Sequence, residues 1–96
     1  MRLHHYTNEA GARGIEARGF AVSHVGDSAG RSWFTDGVDS FVATGSREWR
    51  VTVEIPDDVA EAYRYRFEDG TPYLGNYLVP WEVVNAYRPF TVERLT

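Results

Sequence analysis

Leu3-His4-His5-Tyr6-Thr7-Asn8-Glu9 is the stretch on which the fold turns. It sets imidazole, phenol and hydroxyl side chains in one extended run and then offers a helix start. Thr7 or Asn8 can cap that helix, and Glu9 lies favourably at its positive end. The chain therefore reads as a strand over Met1–Tyr6 that passes directly into a helix over Glu9–Arg18. The apolar stripe of this helix is thin: Ala12 and Ile15 share a face, with weaker support from Ala10 and Ala17, while Glu16 points to solvent. Gly19 ends the helix as a C-terminal cap.

Working outward, Phe20–Val25 reads as extended and Gly26–Gly30 as a loop. Ser32–Thr35 is the next strand, and Asp36-Gly37 a turn. Val38–Thr44 suits a short helix with Phe41 and Val42 turned inward. Trp49–Ile55 alternates cleanly between apolar and polar residues, the mark of a half-buried strand. Pro56-Asp57-Asp58 reads as a turn. Over Ala60–Phe67 the alternation of Tyr63 and Tyr65 with Arg64 and Arg66 favours a strand. Glu68–Pro72 is rich in turn residues, Tyr77–Pro80 is a short strand, and Ala86–Leu95 holds the last one. This gives an α+β domain spanning 1–96, with five to seven short strands and one or two short helices. Consecutive strands without intervening helices argue against a doubly wound parallel sheet. No glycine-rich phosphate fingerprint is present.

Composition narrows the function. Ninety-six residues make one core. Hydrophobic residues are 43% and aromatics 15%, so large rings carry much of the burial. A formal net charge of −4 argues against a broad grip on duplex nucleic acid or an anionic membrane. All ten basic residues are Arg, each suited to planar, bidentate contact with carboxylate or phosphate. The absence of Cys excludes disulfides and thiolate chemistry. No apolar run approaches the ~20 residues of a membrane span, and no signal peptide is recognised. The expected setting is cytoplasmic, with export that needs no cleavable signal left open.

Two motifs invite chemistry and are set aside. Gly26-Asp27-Ser28-Ala29-Gly30 matches the nucleophile elbow G-x-S-x-G, but Arg31–Phe34 reads as extended where a helix is required. The three histidines, His4, His5 and His24, also all precede the Ser. A metal centre from His4, His5, His24 and Asp27 is disfavoured because adjacent strand residues point to opposite faces. Hydrogen-bonded, partly buried histidines are expected instead, and no metal.

The run His5-Tyr6-Thr7, the helix ending in Gly19, and Trp33-Phe34-Thr35-Asp36 together resemble small bacterial ADP-ribosyltransferases of the diphtheria-toxin-like branch. Gly75-Asn76-Tyr77-Leu78-Val79-Pro80 is similar to that family's third region. The resemblance implies a split β-sheet with a cleft for NAD as substrate. His5 would hydrogen-bond a ribose hydroxyl, with Tyr6 beside it, and Thr7 would support the adenosine-side ribose. Trp33 or Phe34 would line the nicotinamide pocket, with Thr35 as the following hydroxyl. Cleavage of the nicotinamide–ribose bond passes through an oxocarbenium-like state that a carboxylate normally stabilises.

Here the chain departs from the family pattern. Asn76 stands where the catalytic Glu is usual, and the nearest downstream acid is Glu82. The expected function is an NAD-binding ADP-ribosyltransferase-like domain with His5 and Glu82 as catalytic residues. Its acceptor, protein or nucleic acid, is not specified. The alternative is a catalytically impaired nucleotide-binding or protein-interaction module on the same fold. Tyr63, Tyr65, Tyr73 and Tyr77 suit either an aromatic binding rim or core packing.

Overall fold

The opening stretch forms the strand β1 (Arg2–Thr7) and runs straight into α1 (Glu9–Arg18). In the computed structural model, residues 1–20, 31–37 and 48–95 are described, with the backbone alone for 72–74. The expected Val38–Thr44 helix, the Gly26–Gly30 loop and, apart from Phe20, the extended stretch Phe20–Val25, with His24, Asp27 and Ser28, lie outside the described residues. Asn8 is the residue that caps α1, its side chain accepting from the Gly11 N–H at 2.8 Å. Gly19 closes the helix at φ +82°, its N–H donating to the Ile15 carbonyl at 2.7 Å. That left-handed conformation favours glycine.

The remaining strands are β2 (Arg31–Thr35), β3 (Trp49–Glu54), β4 (Arg64–Arg66), β5 (Pro72–Pro80) and β6 (Thr91–Arg94). Among the described residues they form one six-stranded sheet in the order β4-β5-β2-β1-β3-β6, every pair antiparallel. The domain is thus α+β, as expected. β1 sits inside the sheet, paired to β3 over six consecutive residues, from Arg2 opposite Glu54 to Thr7 opposite Trp49. On one face Leu3, Phe34, Val51, Val53, Tyr77 and Val79 are buried, each at most 1% exposed. Phe20, Ile55, Ala60 and Val84 complete this core. Alternation explains the division: residues i and i+2 of each strand share a face.

Two short helices depart from the expectation of one or two in all. Asp57–Glu61 is α2, where a turn and then a strand were expected, and Trp81–Asn85 is α3. Both begin alike: Ile55-Pro56-Asp57-Asp58-Val59-Ala60 and Val79-Pro80-Trp81-Glu82-Val83-Val84 each leave a strand through Pro. Each then places an acid in the first turn, where the helix end is positive, and buries Ala60 or Val84. At five residues each, neither is long enough to show a helical repeat in sequence.

Candidate functional site

The three sequence blocks meet on neighbouring strands. His4 is opposite Thr35, and Thr35 is opposite Asn76; Phe34 is opposite Tyr77 and Trp33 opposite Leu78. β2 and β5 run in register from Ser32–Val79 through Phe34–Tyr77 to Thr35–Asn76, and β1 joins β2 at the single pair His4–Thr35. Strand alternation then divides the expected site residues between two faces. His5, Thr7 and Phe34 share the helix-covered face. Tyr6, Trp33, Thr35 and Asn76 belong to the other.

His5 is held on three sides. Its Nδ1 lies 2.8 Å from the Trp33 carbonyl oxygen. A carbonyl only accepts, so Nδ1 carries the proton and the neutral ring keeps Nε2 as an acceptor. The ring meets Phe20 edge-on at 5.2 Å and Phe34 at 5.5 Å. Burial pushes the His5 pKa below the ordinary histidine value, against the opposing pull of the Trp33 carbonyl. The ring is half-buried, and Nε2 makes no hydrogen bond among the described residues.

Phe20 is itself fixed from a distance of 65 residues. Asn85 Oδ1 accepts from the Phe20 N–H at 2.9 Å, and Asn85 Nδ2 donates to the Phe20 carbonyl at 2.8 Å. Gly19 leaves room for this, because a Cβ there would lie 2.7 Å from Asn85 Oδ1. Phe90 closes the cluster edge-on to Phe20 at 5.4 Å. Phe20, Asn85 and Phe90 carry no local pattern that would single them out. Their roles come from contacts far apart in sequence.

Thr7 sits at the end of β1 against Gly11, where any Cβ would run into the Thr7 hydroxyl. Phe34 is sealed in the core at 1% exposure, so its ring packs against protein. Trp33 is half-buried on the far face, its ring 4.9 Å from Tyr65. Thr35 and Asn76 are buried, and the Thr35 hydroxyl is tied to the Gly37 backbone. Tyr6 is buried too, beside the Arg50 guanidinium.

Two acids frame the sheet's ends. Asp36 follows β2 and accepts from the Tyr77 hydroxyl at 3.1 Å. Burial, then the Asp36 charge, pushes the Tyr77 pKa up to about 12. Gly75, at φ +66°, allows that approach, since a Cβ there would overlap the Asp36 carboxylate. Glu82 is exposed in the first turn of α3, at the Thr7 end of the sheet, and makes no hydrogen bond or ion pair among the described residues.

The opposite face of β1 carries a polar groove of about 350 Å³ lined by His4, Arg2, Arg50, Thr52, Thr91 and Glu93. His4 Nδ1 lies 2.8 Å from the Thr52 hydroxyl. Burial and then the Arg50 and Arg2 charges push its pKa down. Both arginines are already paired, Arg2 with Glu54 at 3.0 Å and Arg50 with Glu93 at 2.7 Å. Among the described residues no three His, Asp or Glu side chains converge as metal ligands, and no helix is long and apolar enough to cross a membrane. No protein-family model, curated protein or solved structure matches the chain.

Proposed function

We propose that the domain is an ADP-ribosyltransferase-like module that binds NAD, or a related nucleotide, with the His5 ring receiving a ribose hydroxyl. The observation that carries this reading is the state of His5: a neutral imidazole, its Nδ1–H held by the Trp33 carbonyl, with Nε2 left to accept. A sugar hydroxyl is a donor that such a nitrogen can take. Positioning through a fixed second nitrogen is how proteins aim an imidazole. Thr7 stands on the same face one residue pair along, able to hydrogen-bond the same sugar. Trp33 serves this site through its backbone carbonyl, its ring lying against Tyr65 on the far face, and Phe34, Thr35 and Asn76 are buried on β2 and β5.

The arrangement favours binding over efficient transfer. The acid that would stabilise an oxocarbenium-like state has no counterpart on β5, where the amide of Asn76 is buried. Glu82, the proposed substitute, is exposed and has no partner among the described residues to aim it. Loss of one such preorganised contact costs about 3–4 kcal/mol, or roughly a hundred- to thousand-fold in rate.

Calorimetric titration with NAD, followed by chromatography for released nicotinamide, tests the reading. NAD binding that weakens at least about tenfold in His5→Ala, with little nicotinamide released, is the expected result. No heat of binding at millimolar NAD, or equal affinity in His5→Ala, overturns it. Nicotinamide release that Glu82→Gln abolishes would instead establish the full transferase, with Glu82 acting.

A further inference from the structure

The outer edge of the sheet carries a second feature, separate from the His5 ring. β4 and the start of β2 form an open groove of about 280 Å³ lined by Arg31, Arg64, Arg66, Tyr63, Tyr65 and Leu78. Of its three arginines, Arg64 has its charge met by the Glu61 and Asp36 carboxylates. Glu61 is committed to Arg64 by two hydrogen bonds, at 2.6 and 2.9 Å, and the Arg64 guanidinium lies 4.9 Å over the Tyr77 ring. Arg66 donates to the Gly70 carbonyl, and neither Arg66 nor Arg31 has a carboxylate partner among the described residues. Arg31 and Arg66 thus bring positive charge without a carboxylate partner among the described residues to the groove of a chain whose net charge is −4. Local positive charge on an acidic protein selects an anion by contact rather than by long-range attraction.

Aromatic surface is concentrated at the same edge. Tyr65 is 39% exposed and Phe67 50%, two of the three exposed large hydrophobic side chains among the described residues. Tyr65 is braced by Trp33, ring to ring at 4.9 Å. An exposed flat ring, Tyr65, in one groove with Arg31 and Arg66 suits a ligand that alternates anionic and planar parts. A phosphodiester chain with unpaired bases has that alternation, and stacking accepts any base because each has a π-face. An acidic peptide would use the arginines and leave the rings without planar partners. A duplex would keep its bases out of reach.

We propose that this edge is a binding track for single-stranded nucleic acid, with Arg31 and Arg66 on phosphates and Tyr65 stacked on a base. The track goes beyond the His5 reading and does not depend on it.

Fluorescence anisotropy of the full chain with a labelled twelve-residue oligothymidylate, and with oligouridylate of the same length, tests the track. Two phosphate contacts give a salt slope near −1.4, so affinity should fall about sevenfold between 50 and 200 mM salt. Arg31→Gln and Arg66→Gln should each flatten that slope by about 0.7. Tyr65→Ala should weaken binding roughly five- to 150-fold while Tyr65→Phe retains it, as expected for stacking worth about 1–3 kcal/mol. Arg13→Gln, on α1, should bind as the unaltered chain does. Several results overturn the proposal: no binding at 50 mM salt, binding unchanged in Arg31→Gln and Arg66→Gln, or a polyglutamate peptide competing as well as the oligonucleotide. Displacement by ADP at an affinity equal to the oligonucleotide's would also overturn it and assign the groove to a mononucleotide. His5→Ala should leave oligonucleotide binding intact, which separates failure here from failure of the NAD reading.

Discussion

His4 and His5 are adjacent in the chain and occupy opposite environments. His5 faces an aromatic cluster of Phe20 and Phe34 with a backbone carbonyl as its polar partner. His4 faces a charged groove and shares a hydrogen bond with the Thr52 hydroxyl. Both are driven toward the neutral form, but by different means. For His5 burial alone acts. For His4 burial is joined by Arg50 and Arg2, with Glu93 opposing. One strand step therefore converts the same side chain from a core element into part of a solvent-facing polar network. The lesson is that a motif read along the chain is folded into two half-motifs, and function belongs to whichever half reaches a ligand.

The largest test of that division is packing against packing. Phe34→Ala removes a ring that is 1% exposed and touches both His5 and Phe20. It should cost about 3–5 kcal/mol of stability in urea unfolding. Thr52→Ala, which removes the His4 partner on the other face, should cost about 0.5–1.5 kcal/mol, the net worth of one hydrogen bond. Equal costs would show that the two faces are equally committed to the core.

A smaller effect is expected at Asn85, which reaches the His5 cluster only through Phe20. Asn85→Ala leaves the Phe20 N–H and carbonyl without their side-chain partner, a loss of about 2–3 kcal/mol by thermal or urea unfolding. Asn85→Asp sets a carboxylate oxygen against the Phe20 carbonyl, two acceptors with no proton between them, so it should cost at least as much as Asn85→Ala. If Asn85→Ala weakens NAD binding by more than its stability loss explains, Phe20 sets the position of the His5 ring. If it does not, the clamp serves folding alone.

How much of this was legible beforehand follows from the range of each interaction. α1 was readable to its ends because its signals are local: Asn8 before it, Gly19 after it, and Ala12 and Ile15 between. β3 was readable because Val51 and Val53 alternate with Arg50 and Thr52 over a full strand. α2 and α3 were not, since five residues give little more than one turn of helix. Their repeated start, an apolar strand end, Pro, and an acid two residues on, was present in the chain as a signal for helix entry. At the site, His5 and its Trp33 block could be placed on strands. That His5 and Trp33 would join through a backbone carbonyl required the β1–β2 register, which no local pattern contains. The clamp from Asn85 to Phe20 spans 65 residues and had no sequence signal.

The smallest expected effect separates the two histidines by their response to pH and salt. Both folded-state values lie below the ordinary histidine value of about 6.5. As pH falls through about 6.5 the unfolded chain takes up protons before the folded one does. The histidine contribution to stability is therefore full above that point, declines as pH falls, and levels off below the folded-state pKa values. His5→Gln removes one titrating ring and keeps an N–H that can reach the Trp33 carbonyl. It should flatten the decline by at most about 1.4 kcal/mol per pH unit, the slope of a single proton. Salt then distinguishes the pair. Screening weakens the Arg50 and Arg2 charges at the exposed groove, so proton NMR titration should show the His4 pKa rising with added salt. His5, shifted by burial without a charged partner, should hold its value. A parallel rise in both rings would mean that the charges of the groove reach through the sheet, and that the two faces of β1 are not electrostatically separate.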